Sequence, residues 1–360
     1  MATSTEAPPA GAPASPPRAP QRREHRFDVD LLRLVASCSV ILSHVSATFI
    51  HAVDTREANG AGAYWVGMAG DAAGSFAVPV FFAIAGWAVL VGAPPRDGAR
   101  LWRRLTRNLV PLFVWTAAYL AWAWLRGTNE KPMTDLAVDA GFGTVQPAYH
   151  LWFMYPYLVI VALLGFVVLI RQGQRPWGMG LLLLGVAALP TALTTLGELT
   201  DRGTPAVGWG FSTYAVVYAV GGALLLSLPG RLAPGWRRLL LALAPLAVAG
   251  ILWYDTQIHY VIPNAHLFVG ALTLCVALPL VRIEVPRRLR PTVQRVASAA
   301  LGAYLVHVFF VEELVRPLVS ADLSGPACLA LLVGMLAVTV VLSYGVSLLW
   351  GRLGLRRILG

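Results

Sequence analysis

The sequence predicts an all-α polytopic membrane protein with about ten transmembrane helices and both termini in the cytoplasm. Three observations carry that prediction. Of 360 residues, 57% are hydrophobic and only 13% charged, whereas an average soluble domain carries roughly a quarter charged residues. Apolar stretches long enough to cross a ~30 Å hydrocarbon core at 1.5 Å per residue recur at short intervals. Arginines also concentrate in alternate loops, as expected when the loops on one side of a membrane retain positive charge.

Residues 1–26 are rich in alanine and proline and contain no apolar run, which predicts a disordered cytoplasmic tail. No apolar stretch precedes the first long hydrophobic segment, so that segment is expected to stay attached and not to act as a cleaved signal. Residues 27–360 form one integral-membrane domain. Its predicted spans are Leu31–Ile50, Ala72–Val91, Leu109–Leu125, Leu151–Ile170, Gly178–Leu196, Phe211–Leu228, Leu239–Tyr254, Pro263–Val281, Ser298–Val315 and Ala327–Trp350. The seventh is the shortest and is interrupted by Pro245.

The net charge is +10, from 28 basic and 18 acidic residues. Such an excess raises a nucleic-acid partner first. With the N-terminus inside, however, 22 of the 28 basic residues fall in the tail and the inner loops, in runs such as Arg96 to Arg107 and Arg282 to Arg295. Most acidic residues fall in the outer loops. The charge therefore orients helices, and a nucleic-acid partner is excluded for want of a continuous basic surface. Cys38, Cys275 and Cys328 all lie inside predicted spans without paired or Cys/His spacing, so neither a disulfide framework nor a metal site is indicated.

Ionisable groups at membrane depth are costly and mark candidate sites. Arg33 and His44 are eleven residues apart in the first span. That is about 20° past three full turns and about 16 Å along the axis, so they share a face. Asp30 and Ser37 extend the stripe inward and His51 extends it outward. Arg33 can also be read as snorkelling to the headgroups while paired with Asp30. His44 is too deep for that, and imidazole suits proton transfer near neutral pH.

Before the third span, Arg100, Arg103, Arg104 and Arg107 fall on one side of a predicted helix. Clustered guanidinium groups suit phosphates, although composition alone favours an anchor on anionic lipid. The segment from Tyr149 to Tyr155 carries His150 and Trp152 at the outer interface, where an aromatic belt is also the expected structural feature. The ninth span places Tyr304 and His307 one turn apart, followed by Glu312 and Glu313. No phosphate-binding loop, dinucleotide turn, HExxH or GxSxG occurs in a suitable context, so any chemistry must come from His, Arg, Asp and Glu.

These segments together resemble the integral-membrane acyltransferase family 3, whose members modify bacterial surface sugars and some antibiotics. Phe27 to Arg33 with His44 is similar to the family's opening arginine and histidine. Pro79 to Gly86 is similar to its second-helix motif, with Ala85 where serine is usual, and Arg104 to Arg107 followed by Pro111 resembles its Arg-x-x-Arg signature. His150 to Phe153 and Leu301 to His307 look like the remaining two motifs. The likeness runs from Phe27 to about Trp350 and is nearest to the short, single-domain branch.

The resemblance implies an O-acyltransferase of the bacterial cytoplasmic membrane. It would move an acyl group, acetyl in the simplest case, from cytoplasmic acyl-CoA to a hydroxyl of a carbohydrate or glycosylated acceptor. It implies His44 as general base or transient acyl carrier supported by Asp30 and Arg33. It further implies Arg103, Arg104 and Arg107 as the acyl-CoA site, and His150, Trp152, Tyr304 and His307 as substrate contacts. The alternative class is a transporter or flippase for a glycan or related polar substrate, which would also use a buried Arg/His seam.

Overall fold

A computed structural model of the chain describes residues 25–53, 61–129, 131–143, 148–201 and 203–360. All but the last two residues of the predicted tail, residues 1–26, lie outside the described residues. Every regular element among the described residues is helical. The first half comprises α1 (Phe27–Ile50), α2 (Ala61–Gly74), α3 (Ala77–Trp87), α4 (Gly98–Arg126), α5 (Met133–Gly141), α6 (Met154–Arg171) and α7 (Trp177–Thr200). The second half comprises α8 (Thr213–Leu225), α9 (Pro234–Gln257), α10 (Leu267–Leu280), α11 (Arg290–Ala297), α12 (Ala300–Phe310), α13 (Gly325–Arg352) and α14 (Arg356–Leu359).

Seven helices among the described residues are long and apolar enough to cross a bilayer, or eight if the bent pair built from α11 and α12 counts as one span. The predicted count of about ten is not reached on length. The sixth and eighth predicted spans are helices of 13 and 14 residues, roughly 20 Å long and short of the ~30 Å core. The ninth bends by 59° before α12. At the bend the Ser298 hydroxyl donates back to the Arg295 carbonyl at 2.6 Å, while the Ala299 carbonyl takes a bond from Ser347 at 2.8 Å. Side chains inserted into the helical ladder in this way are a recognised cause of kinks.

The second predicted span is longer than expected, running over Gly62–Gly92, because α2 continues ten residues before Ala72. A seam of small residues makes this extension pack. A Cβ added at Gly70 or Gly74 would run into the hydroxyls of Ser46 and Ser43 on α1. Only glycine lets the two backbones approach so closely, the usual device of helix pairs in membranes. Gly86 does the same for α3 against the Ala219 backbone of α8.

α1 touches α2, α3, α10, α11, α12 and α13, which makes it the central helix. α7 lies at the other extreme, exposing Leu181, Leu182, Leu184 and Leu199 to the surroundings, as a helix facing lipid should.

Arginine-bearing segments gather at one end of the bundle. Arg26 donates to the Leu226 carbonyl at 2.8 Å and lies over Trp87. Asp28 accepts from Arg26 and from the Arg282 backbone N–H, and Arg290 lies over Phe27. Gln174 reaches the Arg96 carbonyl, and Arg356 the Ser298 hydroxyl. The other end is closed by Trp122 and Arg126 on Glu313, by Tyr149 and Arg316 on Glu312, and by Trp209 on the Gly141 carbonyl.

Candidate active site

α1 begins at Phe27 with Asp28 and Asp30 in its first turn, where carboxylates complement the helix dipole. Asp30 holds Arg33 at 2.9 Å and also meets His25 at 2.6 Å. This pair is far from His44, which lies about three turns further along the same helix. Asp30 and Arg33 thus sit at the arginine end, and His44 sits nearer the other end, six residues before α1 stops at Ile50.

Around His44 the structure gathers histidines from three separate elements. Its ring centroid is 5.0 Å from that of His307 on α12 and 6.2 Å from that of His150, which lies in the short 3-10 turn Tyr149–Phe153. The His150 and His307 rings are 5.1 Å apart. His44 is half-buried, whereas His150 and His307 are fully buried. The three do not form a metal-ligand group; among the described residues no group of three or more His, Cys, Asp or Glu is arranged to hold a metal ion.

Hydrogen bonds fix the two buried imidazoles. His150 places Nε2 3.3 Å from the Leu305 carbonyl, and His307 places Nδ1 2.5 Å from the Tyr304 carbonyl. Carbonyls only accept, so these nitrogens carry the protons. The remaining nitrogens, Nδ1 of His150 and Nε2 of His307, are bare, buried and without a hydrogen-bond partner. An unmet acceptor inside a protein costs about 1–3 kcal/mol, and two of them in neighbouring rings can take a proton or a hydrogen bond from a polar group.

Tyrosines hold this cluster in place. Tyr119 donates to the Leu305 carbonyl at 2.9 Å, and Tyr304 donates to the His150 carbonyl. Tyr304 therefore serves as a brace for the turn that carries His150. Trp152 is exposed, with its ring against Phe153, and does not join the histidines. Tyr149 does, at 5.3 Å from His44.

The predicted arginine stripe is helical, opening α4 after Asp97, whose carboxylate caps the Arg100 N–H at 2.7 Å. Its members are not equivalent. Arg100 is taken up by Asp97, while Arg103 and Arg107 are exposed. Arg104 donates one nitrogen to the Ala93 carbonyl at 2.8 Å and keeps NH1 buried with no partner. Arg104 and Arg33 both lie close enough to the Tyr157 hydroxyl to act on it electrostatically. A buried guanidinium nitrogen without an acceptor suits a phosphate oxygen, so these residues fit a polyphosphate donor.

Sequence reasoning did not single out Tyr119, Tyr157 or Asp71. Tyr119 and Tyr157 lie in aromatic-rich apolar runs that give no signal of their role. Asp71 stands one residue before the predicted second span, and its depth shows only once α2 is seen to extend that span.

Comparison with known proteins gives one match. A family model described as an acyltransferase domain, that of acyltransferase family 3, covers residues 26–347. Neither a curated protein nor a solved structure matches the chain. The match takes in the histidine cluster and the arginine stripe and nearly the whole bundle, so the chain belongs to acyltransferase family 3 and is a multi-pass membrane enzyme that transfers acyl groups.

Proposed function

We propose that this enzyme moves an acyl group, acetyl in the simplest case, from acyl-CoA to a hydroxyl of a carbohydrate or glycosylated acceptor. The observation that carries the reading is the pairing of two features along α1. Imidazoles with unpartnered nitrogens meet His44, and Arg33 stands about 16 Å back along α1 at the end where Arg104 of α4 keeps an unmet donor. Acyl-CoA has this division, with phosphates at one end of a flexible arm and the reactive thioester at the other.

Arg104, with Arg103 and Arg107, binds the phosphates, and Arg33, held by Asp30, stands where the arm enters the bundle. His44 takes the proton of the acceptor hydroxyl as it attacks the thioester carbonyl. The leaving thiolate is then protonated, so ester and free thiol are the products. His307 Nε2, beside His44, receives or relays that proton. His150 and Tyr304 shape the acceptor side, and Trp152 lies at its rim.

The arginine end faces the cytoplasm in this reading. The two short apolar helices α8 and α10 complete ten crossings in a bacterial cytoplasmic membrane, with both termini inside.

Purified protein in lipid nanodiscs should release free thiol from acetyl-CoA only when an acceptor pool from surface glycans is added. Glycan uptake into vesicles without thiol release would overturn the reading in favour of transport.

A further inference from the structure

An open pocket with mixed polar and apolar walls lies at the end of the bundle opposite the arginines and apart from the histidine cluster. It measures about 320 Å³ and is formed by the last residues of α1 and α9, the first half of α2, and the loop after α9. Its lining mixes Tyr64, Asp255, Gln257, His259 and Tyr260 with Ile50 and Met68. Asp71 stands behind it, accepting from the Tyr260 hydroxyl at 3.4 Å.

The chemistry of the walls selects the ligand. Among the described residues no lysine or arginine lines the cavity, and the carboxylates of Asp255 and Asp71 disfavour anions such as phosphate or CoA. A metal cation would need convergent oxygen ligands. Asp71, however, is engaged by Tyr260, and Asp255 gives one oxygen to the Ile262 N–H at 2.7 Å. The lining then offers the Gln257 amide, the His259 imidazole, the Asp255 carboxylate and two tyrosines, Tyr64 and Tyr260. Such walls match the hydroxyls and flat C–H faces of a neutral sugar. The volume is at the low end of small-ligand sites, on the order of 300–1,000 Å³, and so fits a short saccharide unit.

Its position relative to His44 is equally specific. The Ser43 hydroxyl donates to the Asp71 carbonyl at 3.4 Å, and Ser43 directly precedes His44 in α1. At 100° per residue, Ser43 and Ile50 both project roughly 100–120° away from the His44 face. The cavity is therefore beside the reactive histidine and not on it. A site so placed binds a part of the acceptor that does not react, and such remote contacts add binding energy that orients the reacting hydroxyl.

We propose that this cavity is a saccharide subsite that holds a neutral sugar unit of the acceptor next to the one being acylated. The inference rests on the reading above only for the identity of the ligand as acceptor. The test is saturation-transfer NMR on the full chain in lipid nanodiscs, which avoids sugar detergents. The probes are the methyl glycosides of glucose, galactose, mannose, rhamnose and N-acetylglucosamine, with spermidine as a cationic competitor.

At least one glycoside should receive saturation from the wild type, and spermidine should not displace it. The Gln257→Ala/His259→Ala double variant should bind about tenfold more weakly or worse, consistent with lost hydrogen bonds, and a monodisperse elution profile would exclude misfolding. His44→Ala should keep the binding while losing thiol release, which separates failure of this inference from failure of the acyl-transfer reading. No transfer to any glycoside, transfer indifferent to the double variant, or displacement by spermidine would each overturn the proposal.

Discussion

Replacing His44 with alanine should lower acyl transfer by roughly 10²–10⁴-fold, the usual contribution of a positioned proton acceptor, with the protein still inserted and monodisperse. His307→Phe keeps the ring volume but removes the bare Nε2. It should lower kcat while leaving KM for the acyl donor near its wild-type value, and a kcat unchanged from wild type would assign His307 to packing alone. Arg104→Ala should act the other way, raising the donor KM by roughly 10–100-fold, the range expected for one or two charge-assisted hydrogen bonds, and leaving kcat less affected. His44, Arg33 and Arg104 were legible in the sequence because charged or titratable groups stand out against apolar runs. The partnership of His44 with His307 and His150 was only half legible. Each histidine could be picked out, but the fold alone shows that their rings meet and which nitrogens are bare.

The elements follow the sequence where an apolar run is long and depart from it where small residues or proline cut in. α1, α4, α6, α7, α9 and α13 sit on predicted spans, and Pro245 in α9 does not prevent a helix over Pro234–Gln257. α8 and α10 stop short between glycine- and proline-containing segments, with the chain after α10 turning through a left-handed Arg282 that Asp28 holds. The α2 extension was missed because a glycine-rich, Asp71-containing stretch gives a weak apolar signal, although its glycines are what seat it on the serines of α1. Gly86 offers the sharpest test of packing at this scale. Gly86→Leu would force α3 away from α8, and overpacking of this kind costs at least about 1–3 kcal/mol. The variant should show a lower thermal transition and a reduced monodisperse yield, whereas a change on the outer surface of α7, such as Leu184→Ala, should not.

For the whole molecule, the excess of arginine resolves into one polar end and one hydrocarbon-facing belt. The same distribution that orients the helices brings Arg26, Arg282, Arg290 and Arg356 into contact with segments far away in sequence. It also leaves Arg104 with an unmet donor. Under the proposed function, acyl transfer across such a bundle is directional: the donor would enter at the arginine end and the ester would appear at the end that holds Glu312, Glu313 and the pocket beside Tyr260.

The most direct measurement places acetyl-CoA carrying a radiolabelled acetyl group only on the arginine face of oriented proteoliposomes, with the surface-glycan pool on the other face. Label should accumulate as ester on the glycan with the wild type, with free CoA released on the arginine face, and should fall to background with His44→Ala. Esterification with His44→Ala at the wild-type rate, or label reaching the glycan only when donor is supplied on the glycan side, would contradict the account.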